Sequence, residues 1–221
     1  MKIYSKMGDG GMTYLLDGTR VVKNNVIIKC LGEFDELNSD IAFIIAILEN
    51  DKKMQYLIND DKMKNNRNIN KYYNILKKIQ YILLDIGKII SRDIRNENIK
   101  DIIFKFDYNN ENLKIIEKYI DELTNEIPEI SNLIFPVGNI LIASIDRART
   151  KCRSAERRLS SIYYYYYSDI NILSEIDKIN IKNSSAYINR LSDYLYILGI
   201  YTGFILNIKY NIYEIDNIIS I

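Results

Sequence analysis

The chain has 221 residues, 48% of them hydrophobic and 27% charged, with a net charge of +1; that is long enough for one domain with a substantial core and gives no global pull toward nucleic acid or membrane. It has no histidine and only two cysteines, Cys30 and Cys152, which excludes histidine general bases, Ser-His triads, His-held metals and a disulfide framework. Any enzyme chemistry must use carboxylates, Lys, Tyr or Cys, or a reactive atom carried by a bound molecule.

The first 32 residues are glycine-rich and lack helical periodicity, so 1–32 is expected to be an irregular N-terminal segment. Met1 to Lys6 has neither a secretory apolar stretch nor an Arg/Ser-rich transit pattern, and no apolar run approaches the roughly 18 residues of a membrane span; a cytoplasmic location with no membrane partner is expected. Helix one is expected from Glu33, with Leu37, Ile41, Ile44 and Leu48 on one face. An Asn-, Asp- and Lys-rich connection over 50–70 follows. Leu76, Ile79, Leu83, Ile86 and Ile90 mark helix two. Residues 97–110, with Phe104, Phe106 and Tyr108, suit a short extended piece. Leu113, Ile116, Ile120, Leu123 and Ile127 mark helix three, stopped by Pro128. A linker over 128–138 contains Pro136 and Gly138. Leu141, Ile145, Ala148, Cys152, Ala155, Leu159 and Ile162 mark helix four. An irregular connection is expected over 163–180, then helix five through Ile188, Leu191, Leu195, Leu198, Thr202 and Ile205, and a tail over 210–221. Alternating spacings of 3 and 4 in five segments predict an all-α, five-helix bundle over 33–209.

Four stretches carry chemistry. In Ser5-Lys6-Met7-Gly8-Asp9-Gly10-Gly11-Met12-Thr13, the glycines allow close backbone approach to a polyphosphate and Lys6 adds a cation; an ordinary tight turn explains the stretch equally simply. In Gly32-Glu33-Phe34-Asp35-Glu36-Leu37-Asn38-Ser39, acidic residues suit the first turn of a helix, where the dipole favours them. Helix four holds Asp146, Arg149, Arg153, Glu156 and Ser160 at spacings of 3, 4, 3 and 4. That polar stripe lies one residue, about 100°, beside the apolar seam. Arg149 and Arg153 are thereby expected at the core boundary, where guanidinium groups grip phosphate or carboxylate. Lys151 and Arg158 read as a solvated face. In Tyr187-Ile188-Asn189-Arg190-Leu191-Ser192-Asp193-Tyr194, Asn189 adjoins a core position and needs a polar partner; Arg190 and Asp193 suit an i,i+3 pair.

Together the four stretches resemble the corrinoid adenosyltransferases of the propanediol-utilisation (PduO) type. Those proteins carry T-K-x-G-D-x-G-x-T, G-x-x-D-E-L-N-S, A-R-T-x-x-R-R-A-E-R and Y/F-I/L-N-R-L-S-D-Y/F in this order, matched by Ser5–Thr13, Gly32–Ser39, Ala148–Arg157 and Tyr187–Tyr194. The resemblance implies a homotrimer with sites between subunits. It also implies transfer of the 5′-deoxyadenosyl group of ATP to Co(I) of a corrinoid, with release of triphosphate and with Mg²⁺ held mainly by the ATP phosphates. It places Ser5, Lys6, Gly8, Thr13, Lys23, Arg153, Glu156, Arg157 and Asn189 on ATP, and makes Asp35 and Arg149 an ion pair bordering the corrinoid. A reductase and an acceptor enzyme dependent on adenosylcobalamin are the implied partners. The sequence departs from the family at the corrinoid side. Leu133 stands where a phenylalanine is usual, with Phe135 nearby, Val137 replaces a glycine, and Asp146 replaces the usual histidine. A carrier that binds corrinoid or nucleotide without catalysis is the alternative those departures leave open.

Overall fold

The computed structural model describes residues 3–51, 67–93, 104–129, 134–135, 138–167, 173–208 and 211–212. Among the described residues there are five helices: α1 (Val26–Asn50), α2 (Arg67–Ile90), α3 (Glu111–Glu126), α4 (Ile140–Tyr167) and α5 (Glu175–Ile205). Two small antiparallel pairs accompany them, β1 (Met12–Tyr14) with β2 (Arg20–Val22), and β3 (Ile134–Phe135) with β4 (Asn211–Ile212).

α1, α3, α4 and α5 begin where the chain supplies an acceptor for their free N–H groups. Asn25 Oδ1 accepts from Ile27 N at 2.8 Å and opens α1. Asp107 accepts from Asn112 N and Leu113 N at 2.8 and 3.0 Å and opens α3. Asn139 accepts from Leu141 N at 2.6 Å and opens α4. The Ser174 hydroxyl accepts from Asp177 N at 3.2 Å, and Glu175 and Asp177 in the first turn of α5 complement its dipole. α3 ends just short of Pro128, whose ring disfavours a helical residue before it.

All the seam residues expected of helices one, two and four are buried, and one cluster joins residues from Leu15 to Tyr201. α5 buries residues around its circumference from Asn180 to Gly203, the mark of a central helix. α2 runs antiparallel to α1, with Gln80 Nε2 donating to Asn38 O at 3.3 Å and Lys77 3.3 Å from Glu49. α4 also runs antiparallel to α1. Arg147 bonds Asp40 at 2.6 Å, and Lys151 bonds Glu36 and lies 3.6 Å from Glu33.

Several expected boundaries move. α1 starts at Val26, so Gly32 lies inside it and the first turn holds no acidic residue. Glu33 and Glu36 therefore serve as partners of Lys151, and Glu33 also lies 3.8 Å from Arg158; dipole stabilisation does not explain them. Lys151 and Arg158 are accordingly cross-links to α1 rather than a merely solvated face. α4 continues to Tyr167 and α5 starts at Glu175, which shortens the connection expected over 163–180 and puts Tyr187–Tyr194 in mid-helix. Residues 104–107 form no strand. Asn180 Nδ2 donates to Phe104 O at 2.7 Å and its Oδ1 accepts from Phe106 N at 2.8 Å, so one amide side chain does the work of a neighbouring strand. Residues 211–212, inside the expected tail, pair with β3. Leu133, Pro136 and Val137 lie outside the described residues, as does most of the connection expected over 50–70.

Candidate functional site

The N-terminal arm is a hairpin with a glycine turn before it. Asp9 N donates to Lys6 O at 3.3 Å and Gly11 N to Gly8 O at 3.2 Å. Lys6 and Gly11 take left-handed backbone angles, φ 60° and 76°, which an L residue such as Lys6 adopts only at a cost. Lys23 N returns to Gly11 O at 2.9 Å. A Cβ at Gly8 would lie 3.2 Å from Lys23 Nζ, so the glycine makes room for the ammonium beside the turn. Thr13 pairs across the hairpin with Val21. Lys6 and Lys23 are exposed and form no ion pair among the described residues. The structure thus gathers Ser5, Lys6, Gly8, Thr13 and Lys23 on one hairpin.

That hairpin is anchored to the bundle by its far end. Leu15 is buried, and Leu16 N donates to Ser91 O at 2.7 Å. Asp17 uses both oxygens, one accepting from Thr19 N at 2.9 Å within the turn, the other from Asp93 N at 2.8 Å past the end of α2. Arg92 in turn pairs with Asp177 at the start of α5.

On α4, Glu156 accepts from Asn189 Nδ2 at 2.8 Å. Asn189 Oδ1 accepts from Arg190 Nη1 at 2.9 Å, and Arg190 is held by Glu117 of α3 at 3.0 Å and by Asp193 at 3.4 Å. The polar partner that Asn189 requires is therefore Glu156, which leaves Arg153 without the i,i+3 partner its spacing offered. The side chains of Arg153 and Arg157 are exposed and form no hydrogen bond or ion pair with a described residue; Arg153 stands further from the core boundary than its spacing suggested.

One turn toward the start of α4 lies a small cleft of about 50 Å³, lined by Ile134, Ile142, Asp146, Arg149, Leu195, Tyr196, Gly199 and Ile200. Arg149 Nε donates to Asp146 Oδ1 at 2.7 Å, and both side chains are 27% exposed. Within the chain Arg149 is thus paired with Asp146 and not with Asp35, which is exposed. Leu133 lies outside the described residues, and of Phe135 only the backbone, paired with Asn211, is described.

Both thiols are buried. Burial pushes Cys30 from 9.0 up to about 12, and burial raises Cys152 as well. Among the described residues no three His, Cys, Asp or Glu side chains converge as a metal cage.

Sequence reasoning missed Asp17 and Glu117. Their partners, Asp93 and Arg190, are 76 and 73 residues away, and no local pattern announces such pairings.

An all-α bundle with a glycine arm, two exposed arginines on one helix and an adjoining apolar cleft offers places for a polyphosphate and for an apolar ligand, and the comparisons give the family. The family model for cobalamin adenosyltransferase matches residues 3–202, so the chain belongs to that family. It is 27% identical over 205 residues to the corrinoid adenosyltransferase MMAB of Homo sapiens, covering 91% of this chain and 69% of that one. To the corrinoid adenosyltransferase of Bacillus subtilis it is 29% identical over 196 residues, covering 89% and 83%. A solved structure of a variant PduO-type ATP:corrinoid adenosyltransferase from Lactobacillus reuteri, complexed with cobalamin and ATP, superposes with a TM-score of 0.73 at 26% identity, covering 96% of this chain and 99% of that chain.

Proposed function

We propose that the protein is an ATP:cob(I)alamin adenosyltransferase. The observation that carries this reading is on α4. The exposed, unpaired Arg153 and Arg157 follow Arg149 of the cleft at successive turns, a rise of about 6 Å per turn of four residues. A triphosphate on the first two and a corrinoid at the cleft would share one helix face.

In the reaction, Co(I) supplies an electron pair to ribose C5′, the C5′–O bond breaks, and its electrons leave on the triphosphate. The metal is the nucleophile, so the absence of histidine is no obstacle. The protein has to align C5′ with cobalt and neutralise charge growing on the leaving oxygen. Lys6, Lys23, Arg153 and Arg157 supply that neutralisation, with Ser5, Gly8 and Thr13 shaping the arm around the phosphates. The Asn189–Glu156 bond presents a polar pair to the nucleoside. Magnesium arrives on the phosphates of ATP. Asp35 and Arg149 border the corrinoid.

No hydrogen bond or ion pair joins residues 5–13 to Arg149, Arg153 or Arg157 among the described residues. This supports a site completed by a second copy of the chain, the arm of one protomer meeting α4 of the next in a homotrimer. The two unpaired thiols fit the cytoplasm, where a reductase would supply Co(I) and an enzyme dependent on adenosylcobalamin would take the product.

The test is incubation with ATP, Mg²⁺ and chemically reduced cobalamin. Adenosylcobalamin and free triphosphate are expected in equal amounts. Ligand binding with no product would replace the enzyme by a carrier.

A further inference from the structure

We infer that Asp146 is a positioning residue for the corrinoid side of the site: it holds Arg149 through Nε, leaving the two terminal nitrogens of that guanidinium for a second anionic group at the mouth of the cleft. The inference rests on the adenosyltransferase reading for the identity of the ligand, but the pairing itself does not.

Among the described residues, Asp146 and Arg149 are the only charged ones lining the cleft; the others are Ile134, Ile142, Leu195, Tyr196, Gly199 and Ile200. A bare guanidinium in such an aliphatic wall would be costly to desolvate. One turn of helix brings the carboxylate to it at 2.7 Å, and 27% exposure of each side chain puts the pair well below the exposed class in which ion pairs are often inconsequential. The bond uses Nε, and Arg149 Nη1 and Nη2 donate to no described residue. A planar guanidinium fixed by one edge presents its remaining fork in one direction. The order Asp before Arg at i,i+3 also agrees with the helix dipole.

Two readouts separate this inference from the function it serves. The first is the NMR signal of Arg149 Nε–H in the full-length protein, assigned by its loss in Arg149→Lys. A proton-exchange-protected signal is expected in the parent protein, lost in Asp146→Ala and retained in Asp146→Asn, whose Oδ1 still accepts. An unprotected parent signal, or one unmoved by Asp146→Ala, overturns the positioning role whatever the enzyme does. The second is kinetic. Asp146→Ala is expected to raise KM for cob(I)alamin about tenfold while leaving KM for ATP unchanged, with Asp146→Asn recovering most of the loss. In an Arg149→Ala background Asp146→Ala is expected to add nothing. Equal damage to both KM values, or full additivity with Arg149→Ala, overturns the inference in favour of a structural role or of direct contact with the corrinoid. A parent protein that makes no adenosylcobalamin would sink the proposed function and leave the Nε–H result to decide the pairing.

Discussion

Arg153 and Arg157 stand free on α4 while Lys151, Arg158 and Arg147 on the same helix are spent on Glu33, Glu36 and Asp40 of α1. That division separates the cations proposed to hold the triphosphate from those that cross-link α1 more sharply than charge counting does. Removing a donor aimed at developing charge costs roughly 100-fold or more in turnover, so Arg153→Ala is expected to lose at least that much kcat with an unchanged melting temperature; adenosylation at wild-type rate in a folded variant would discard its role. Glu117 acts at one remove, through Arg190 and Asn189. Its pair with Arg190 is 44% and 43% exposed, and pairs that exposed contribute about 1 kcal/mol or less. Glu117→Ala should therefore raise KM for ATP by no more than about fivefold, measured by steady-state kinetics. At the thiols the sign is set by burial. Cys30 titrates in the folded protein at about 12 instead of 9.0. Its contribution to stability is complete below pH 9, where the thiol is neutral in both states, and is lost as pH rises toward 12. Both cysteines should resist alkylation at pH 8 in the native protein and react on unfolding, as a thiol-reagent time course would show.

Among the elements, the arm and α5 depend most on single polar side chains. Asp17 closes the hairpin turn and ties it to Asp93. Asp17→Ala removes both bonds, at roughly 1–3 kcal/mol together. The expected result is a melting temperature lower by a few degrees, at about 2–4 °C per kcal/mol for a chain of this size, and a raised KM for ATP, because the arm loses its anchor while the α4 arginines stay in place. Asn180 is buried and pairs both with Phe104 O and with Phe106 N. Asn180→Leu keeps the branched shape but strands two backbone groups, at about 1–3 kcal/mol each; calorimetry should show a larger loss than for Asp17→Ala. The existence of these helices was readable because burial repeats every 3.6 residues. Their ends were less so. α1 starts at Val26 because Asn25 caps it, and the apolar Val26-Ile27-Ile28 beyond the cap was masked by the glycines and charges around it.

For the whole molecule, the decisive property is that the arm and α4, the two halves of the proposed nucleotide site, are joined by no hydrogen bond or ion pair among the described residues. If the site forms between copies, Lys6→Ala and Arg153→Ala chains, each inactive alone, should complement when coexpressed. Random assembly in a closed ring leaves about a quarter of the sites with both halves intact, so roughly a quarter of wild-type activity is expected. No recovery in mixed oligomers would mean that arm and helix act within one chain. From the sequence alone came the five amphipathic helices, the glycine arm, the arginine stripe and, through four motifs in order, the family. All of these are local: they rest on spacing along the chain and on the intrinsic chemistry of neighbouring residues. What required the folded molecule is every pairing between distant segments. Asp17 with Asp93, Glu117 with Arg190, Glu33 and Glu36 with Lys151, and Asn180 with Phe104 and Phe106 bring together residues whose partners were fixed by helix packing. The choice of Asp146 rather than Asp35 as the partner of Arg149 within the chain belongs with them. Although those two residues are neighbours in sequence, only a cleft walled by β3 and α5 makes their charge pair matter, because the surrounding packing sets how far each charge is screened by water.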